Sequence, residues 1–305
     1  MKYPYYPGCT LKTKAKNFEK SALAVANTLG IELIELDRWN CCGAVPSLAS
    51  DDLMKHLAPI RNFLRVKEMN RNGILDNQYQ LIVLCSMCYN VLKMSNLRVK
   101  TVNEDLGKLN DFMYKEIEKY DKEVEVVHFI ELLKKLGFDK IKEAVKVNLS
   151  ELKVSPYYGC TLLRPKDIGL DDPESPTIIE NILESLSVSV VNNPLKTRCC
   201  GSYQTVSEKD IVVDLAYDIL KSAQESGAQI IVTSCPLCAF NLEKRQADVI
   251  KKHPEFKEIP VLYFTQLMAV SFGLDEKYYG FEDNLINPME IIRKEKEKIE
   301  RVNTN

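Results

Sequence analysis

The 305-residue chain is 45% hydrophobic and 28% charged, which suits an ordinary globular protein with room for two cores. Its 41 basic and 43 acidic side chains leave a formal charge of −2. That balance offers no general attraction to nucleic acid or to an anionic membrane. Met1–Pro7 has no apolar core of the secretory kind. The uncharged run Ile259–Leu274 is 16 residues long and holds Pro260, Thr265 and Gln266, so it falls short of a membrane span. A soluble, cytoplasmic protein is expected.

In chain order, Met1–Tyr6 reads as a strand that delivers Cys9 on the Pro7-Gly8 turn. Lys12–Leu29 has helical spacing, with Gly30 as its C-terminal stop. Ile31–Leu36 is a strand before Asn40-Cys41-Cys42-Gly43, and Ser50-Asp51-Asp52 caps a helix from Leu53 to Asn72. The apolar run Gln80–Leu84 has the look of a buried parallel strand. Cys85 and Cys88 follow it, with a helix starting near Tyr89. Leu97–Tyr120 reads as one or two surface helices, Glu125–His128 as a strand and Phe129–Leu136 as a helix. The polar stretch from Gly137 to Ser150 marks a boundary. Beyond it the order repeats: strand Lys153–Tyr158, helix Thr177–Leu186, strand Ser187–Val191, helix Ser207–Ser226, strand Gln229–Thr233, helix Cys238–His253, strand Val261–Phe264 and helix Thr265–Phe272. A charged helix, Met289–Arg301, ends the chain and reads as a solvated tail.

The ten cysteines fall into one arrangement written twice: Cys9, Cys41-Cys42-Gly43 and Cys85-x-x-Cys88, then Cys160, Cys199-Cys200-Gly201 and Cys235-x-x-Cys238. Between the single cysteine and the pair lie 31 and 38 residues, and between the pair and the last motif 42 and 34. A repeat this long is a duplicated domain, too long for a solenoid unit. Strands alternating with helices imply a parallel sheet. The expected architecture is therefore α/β: two pseudo-symmetric Rossmann-like domains with parallel sheets, residues 1–148 and 149–305, the second carrying the C-terminal helical tail. Every cysteine motif follows a predicted strand, so all should meet at the carboxyl edge of the sheet, where open α/β folds bind ligands. Several also precede a helix, whose N-terminal dipole favours thiolate. Ten thiols in a cytosolic chain point to metal or redox chemistry before disulfides. Iron–sulfur leads; zinc, a dithiol redox pair and buried free cysteines stay open. Four-ligand zinc and cubane sites both leave the fifth cysteine of each set unexplained.

The duplicated pattern resembles the cysteine-rich CCG domain family, and within it the B subunits of heterodisulfide reductases. The likeness covers essentially the whole chain, although the 42-residue spacing in copy one exceeds the usual mid-thirties and reads as a helix extension around Asn70–Gln80. The resemblance implies a noncubane [4Fe-4S] cluster on each set: Cys9, Cys41, Cys42, Cys85 and Cys88, and Cys160, Cys199, Cys200, Cys235 and Cys238. It further implies that the two clusters face each other across the domain interface and reduce the CoM-S-S-CoB heterodisulfide. A ferredoxin-like C subunit would donate electrons, with a flavin-containing A subunit behind it and a hydrogenase or formate dehydrogenase further upstream. The alternative is an iron–sulfur electron-relay subunit of a lactate, glycolate or succinate–fumarate oxidoreductase.

Both halves of that disulfide are anionic, so nearby cations are candidate substrate contacts: Lys12, Lys14 and Arg38 in copy one, Arg164, Lys196 and Arg198 in copy two. Each has a solvated surface or charge compensation as its plainer role. His128 is expected to be a structural histidine whose copy-two counterpart is Tyr263. His56 and His253 are placed in helices. Tyr6 and Tyr158 are read as packing residues, and Gly43 and Gly201 as points of close backbone approach.

Overall fold

A computed structural model describes residues 1–44 and 53–303, with side chains to residue 297. Copy one runs β1 (Lys2–Tyr6), α1 (Gly8–Leu11), α2 (Lys16–Thr28), β2 (Glu32–Glu35), α3 (Leu57–Arg71), β3 (Gln80–Val83), α4 (Ser86–Thr101), α5 (Asn103–Phe112), β4 (Glu125–His128), α6 (Phe129–Leu136) and α7 (Phe138–Glu143). Copy two runs β5 (Lys153–Pro156), α8 (Ile178–Ser185), β6 (Ser189–Val190), α9 (Lys209–Glu225), β7 (Ile230–Thr233), α10 (Pro236–Lys244), α11 (Gln246–Lys252), β8 (Val261–Tyr263) and α12 (Phe264–Ser271), followed by the terminal α13 (Met289–Asn303). Each copy folds into one four-stranded sheet, in the orders β2-β1-β3-β4 and β6-β5-β7-β8. Every pairing is parallel. The expected α/β class and parallel sheets are thus present.

The inner strands owe their near-continuous apolar sequence to helices on both faces. All four residues of β7 are buried, and so are all three of β8, which ends its sheet but packs against the first copy through Tyr263. The edge strands β2 and β6 are only partly covered. In both sheets the chain leaves the first strand toward one edge and returns to the other side of it, which makes a switch point between β1 and β3 and between β5 and β7.

The two copies pack through equivalent elements. Helix α2 lies on α12, and α8 lies on α6 and α7. Phe18 stacks on Tyr263 with ring centroids 4.2 Å apart, a contact worth ~0.5–1.5 kcal/mol beyond burial. Ser21 Oγ meets Thr265 Oγ1 at 2.7 Å. Phe129 and Phe264, the first residues of equivalent helices, approach to 6.3 Å between centroids. The register pairs Val83 with His128 and Thr233 with Tyr263, so His128 and Tyr263 are counterparts as expected.

Several boundaries differ from the sequence reading. The Lys12–Leu29 helix is two helices, α1 and α2, because the chain must turn at Cys9 before α2 can pack on the sheet. The predicted Leu97–Tyr120 segment is split: α4 begins at Ser86 and absorbs its first part, while α5 ends at Phe112. The predicted Cys238–His253 helix breaks at Arg245 into α10 and α11. The extra length after Cys42 is no helix extension: α3 stops at Arg71, and turns lead to β3. The Ser50-Asp51-Asp52 cap lies outside the described residues.

Candidate metal centre

Three adjacent strand ends carry the cysteines of each copy. Cys9 follows β1 at the start of α1, Cys41 and Cys42 follow β2, and Cys85 and Cys88 bracket the first turn of α4 after β3. Copy two repeats this with Cys160, Cys199, Cys200, Cys235 and Cys238. Cys85 is the N-cap of α4 and Cys235 the N-cap of α10. There the first backbone N–H groups of the helix face each sulfur, among them those of Cys88 and Cys238, which favours thiolate; the bond the two sulfurs share across the interface nevertheless leaves Cys85 pushed well above the ordinary thiol range and Cys235 held well below it.

The thiols stand in pairs. Cys9 and Cys41 sulfurs are 3.8 Å apart, Cys42 and Cys88 3.5 Å, Cys160 and Cys199 3.7 Å, and Cys200 and Cys238 3.4 Å. Two thiolates on one tetrahedral metal with bonds of about 2.3 Å would lie about 3.8 Å apart, so the donor set fits metal ligation. Within each set Cys88 also interacts with Cys85, and Cys238 with Cys235. Across the interface Cys85 interacts with Cys235, which joins the two sets. The adjoining backbone is tied as well: Ser86 N–H donates to the Ser234 carbonyl at 3.3 Å, and the two hydroxyls meet at 2.8 Å. Among the described residues no three His, Cys, Asp or Glu side chains close around a single ion; the thiols form a row of pairs.

Six of the ten cysteines are buried: Cys42, Cys85, Cys88, Cys200, Cys235 and Cys238. Packed this closely the thiols share protons. The bond from Cys41, with that to Cys88, holds the Cys42 thiol down to about 4, and Cys41 is pushed up in return. Cys160 holds Cys199 down to about 6, aided by the backbone N–H groups of Gly201 and Ser202.

The glycines around the site do more than the sequence reading assigned. Gly43 and Gly201 adopt φ +73° and +74°, and their N–H groups donate to Cys41 Sγ at 3.5 Å and Cys199 Sγ at 3.3 Å. A Cβ on Gly43 would meet nothing within 4 Å, and one on Gly201 would meet Leu215 and Val212. The close approach to sulfur instead occurs at Gly8 and Gly159, where a Cβ would lie 2.9 Å from Cys88 Sγ and 3.1 Å from Cys238 Sγ. Tyr6 and Tyr158, both read as packing residues ahead of the first cysteine turn, are not counterparts. Tyr6 donates to the Asn40 carbonyl at 2.8 Å, and Tyr157 makes the matching bond to the Arg198 carbonyl at 2.6 Å. Tyr157, not Tyr158, is therefore the counterpart of Tyr6. Tyr158 instead donates to Glu180.

The candidate cations stand mostly in ion pairs. Lys12 binds Glu19 at 2.7 Å and Glu35 at 2.5 Å, Arg38 binds Glu68 at 2.7 Å, Arg164 binds Glu174 at 2.8 Å, Lys196 binds Glu180 at 2.5 Å, and Arg198 binds Asp218 at 3.0 Å. Lys14 is exposed. His128 is fully buried; its Nδ1 accepts the Ile130 N–H at 3.2 Å and so caps α6. Its Nε2 faces the Leu84 backbone without a hydrogen bond of good geometry, and burial drives its pKa down to about 3. It is a neutral structural residue. His56 meets Ser95 Oγ at 2.9 Å, and His253 stacks on Tyr217.

Comparison with known proteins agrees with this geometry. The family model described as the CCG cysteine-rich domain matches residues 3–93 and again residues 154–243. The chain is 31% identical over 286 residues to the 8-methylmenaquinol:fumarate reductase membrane anchor subunit of Wolinella succinogenes, covering 93% of this chain and 97% of that one. It is 27% identical over 298 residues to the B subunit of the ferredoxin/F420H2-dependent CoB-CoM heterodisulfide reductase of Methanosarcina acetivorans, 96% of each chain. A hypothetical protein from Helicobacter pylori shares the fold with a TM-score of 0.72 at 12% identity; 93% of this chain spans about half, 51%, of that one. No helix among the described residues is long and apolar enough to cross a membrane. With its cysteine-rich domain present twice and relatives named as reductase subunits over nearly its full length, the chain belongs to the duplicated CCG cysteine-rich domain family, to which it is joined by likeness to a heterodisulfide reductase B subunit.

Proposed function

We propose that the chain is the disulfide-reducing subunit of a heterodisulfide reductase-type complex and holds two noncubane [4Fe-4S] clusters, one on each five-cysteine set. The observation that carries this reading is the direct bonding of the two copies at Ser86 and Ser234, the residues that follow Cys85 and precede Cys235. When bound, the two clusters supply one electron each, which is what cleaving one disulfide, with two protons, into two thiols requires. The protein's part is positional. The N-cap sites place Cys85 and Cys235 against helix N-termini, which would stabilise thiolate on a metal, and the Ser86–Ser234 bonds fix the two sets at one interface. Burial of six cysteines keeps water from the reacting centre. Candidate anion contacts remain Lys12, Arg38, Arg164 and Arg198. The CoM-S-S-CoB heterodisulfide is the proposed substrate, a ferredoxin-like C subunit the direct donor and a flavin-containing A subunit the next carrier. The cytoplasm is the proposed location, and the domain division is proposed at residues 148–149.

A second reading has its own support. The Wolinella succinogenes relative is named for fumarate reductase, and five candidate cations already have carboxylate partners. In that reading the same sets relay electrons, and the bond chemistry lies in a partner. The test is anaerobic single-turnover cleavage of the heterodisulfide by wild type, Cys85→Ser and Cys235→Ser, with iron and sulfide counted. About eight irons and eight sulfides in wild type, cleavage by wild type and none by either variant support the first reading. Substantial cleavage by either variant refutes the paired mechanism, and a wild type that takes up electrons without cleaving the disulfide moves the assignment to the relay.

A further inference from the structure

The two cysteine sets differ in the side chain that faces the inner cysteine of the vicinal pair. Asn241 lies in α10, three residues after Cys238, and is fully buried. Its Nδ2 donates to the Cys200 carbonyl at 3.0 Å and approaches Cys200 Sγ at 3.7 Å. Thr205 Oγ1 donates to Asn241 Oδ1 at 2.5 Å, which turns the amide so that its N–H groups face the cysteine. The equivalent position in α4, three residues after Cys88, is Val91, which has no donor to offer Cys42. Cys42 has donors of another kind, the Tyr6 hydroxyl and the Ala44 N–H, whereas Cys200 has the Asn241 amide. The contacts around the outer cysteines do repeat. Gly43 and Gly201 N–H groups face Cys41 and Cys199, and the Tyr6 and Tyr157 hydroxyls go to equivalent carbonyls.

We propose that Asn241 is a positioning residue that tunes the second cysteine set: its amide makes the group held by Cys200 easier to reduce than it would be without that N–H. The inference rests on the two-cluster reading above. Reduction adds negative charge, part of which spreads onto the ligand sulfurs. An N–H dipole aimed at such a sulfur stabilises the reduced form more than the oxidised one and raises the potential. Solvent exposure acts in the same direction, and Cys9 and Cys41 are the more exposed pair. Asn241 therefore offsets, in the second set, part of what water gives the first.

The test is an anaerobic titration with dithionite, followed by electron paramagnetic resonance, on wild type, Asn241→Val and Thr205→Val. Asn241→Val reproduces the residue of copy one. One of the two reduction steps should move to lower potential by about tenfold in its equilibrium constant, about 59 mV for one electron, while the other stays. Thr205→Val, which frees the amide without removing it, should move the same step by a smaller amount, and it keeps the inference testable should Asn241→Val fail to fold. Iron-replete variants with neither step moved, or with both moved alike, overturn the inference and leave the cluster reading standing. Wild type without iron and sulfide after reconstitution overturns the cluster reading, and the inference with it.

Discussion

Gly8 and Gly30 share a positive φ and differ in what surrounds them, which allows a controlled experiment. Both adopt φ +72°. A Cβ at Gly30 would meet nothing within 4 Å, whereas one at Gly8 would lie 2.9 Å from Cys88 Sγ and 3.3 Å from Tyr6. Alanine at either site should cost ~1–2 kcal/mol for the left-handed backbone. At Gly8 the sulfur must also retreat. Ordinary contact begins near ~3.5 Å, so Cys88 Sγ has to move by roughly 0.6 Å. That exceeds the ~0.2 Å tolerance of a metal–ligand bond and disturbs the 3.5 Å pairing with Cys42. Gly8→Ala should therefore lose the iron of the first set, about half the total, and keep that of the second. Gly30→Ala should show a comparable backbone penalty and full iron. The assay is thermal unfolding together with iron and sulfide analysis after anaerobic reconstitution. Full iron in Gly8→Ala, or equal iron loss in Gly30→Ala, would refute the reasoning.

Replacing Cys42 or Cys200 with serine should disturb the metal content and visible spectrum as severely as replacing Cys88 or Cys238; an unchanged spectrum in either variant would remove the fifth cysteine from the ligand set. His128 is expected to shape the acid limb of stability. Its folded pKa of about 3 lies below the ordinary value of 6.5, so its contribution is complete above pH 6.5 and is lost as pH falls from there toward 3. By pH 5 the loss should reach about 2 kcal/mol. His128→Asn, which retains an acceptor for the Ile130 N–H, should therefore trail wild type by about 2 kcal/mol less at pH 5 than at pH 7 in urea unfolding, and a gap independent of pH would contradict the assignment.

Much of the fold was legible because buried parallel strands leave a plain signal. Glu125–His128 and Phe129–Leu136 were readable to the residue, since an apolar run ends at a histidine that caps the next helix. The convergence of the cysteines followed from their position after each strand. What escaped was whatever depends on three-dimensional contact. The start of α4 at Ser86 was hidden because a C-x-x-C reads as a loop until Cys85 is seen as a helix cap. Tyr157 and Tyr158 stand side by side in the chain; Tyr157, three residues before Cys160 as Tyr6 is before Cys9, was the readable counterpart, and the bond to the Arg198 carbonyl bears it out. Gly8 and Gly159 gave no hint that sulfur lies against them. Asn241 did leave a signal: it follows Cys238 by three residues where copy one has Val91, a difference visible once the two copies are aligned.

The paired cations bear on the choice between the two functional readings through the strength of each pair. Arg164–Glu174 and Arg198–Asp218 are between partners at least two-fifths exposed, with side-chain exposures of 40% and 82%, and 41% and 45%. Such pairs contribute ~0–1 kcal/mol, so an incoming sulfonate or phosphate could take over either arginine at little cost. Lys12 and Lys196 are held differently. Lys12 sits between two carboxylates, and Lys196 and Glu180 are largely covered while Glu180 also accepts from Tyr158. Withdrawing either lysine would leave a carboxylate without its counter-charge, so turning Lys12 toward an anion would cost more than turning one of the arginines. Arg38 is 70% exposed, but its partner Glu68 also binds the buried Arg65, so Glu68 would keep a counter-charge if Arg38 turned away. An anionic disulfide therefore has exchangeable arginines on both copies, Arg38 on the first and Arg164 and Arg198 on the second. A pure electron relay has no use for exchangeable cations. The weakness of the pairs is compatible with both readings, and only the disulfide reading expects Arg198→Gln to slow heterodisulfide cleavage while leaving electron uptake unchanged.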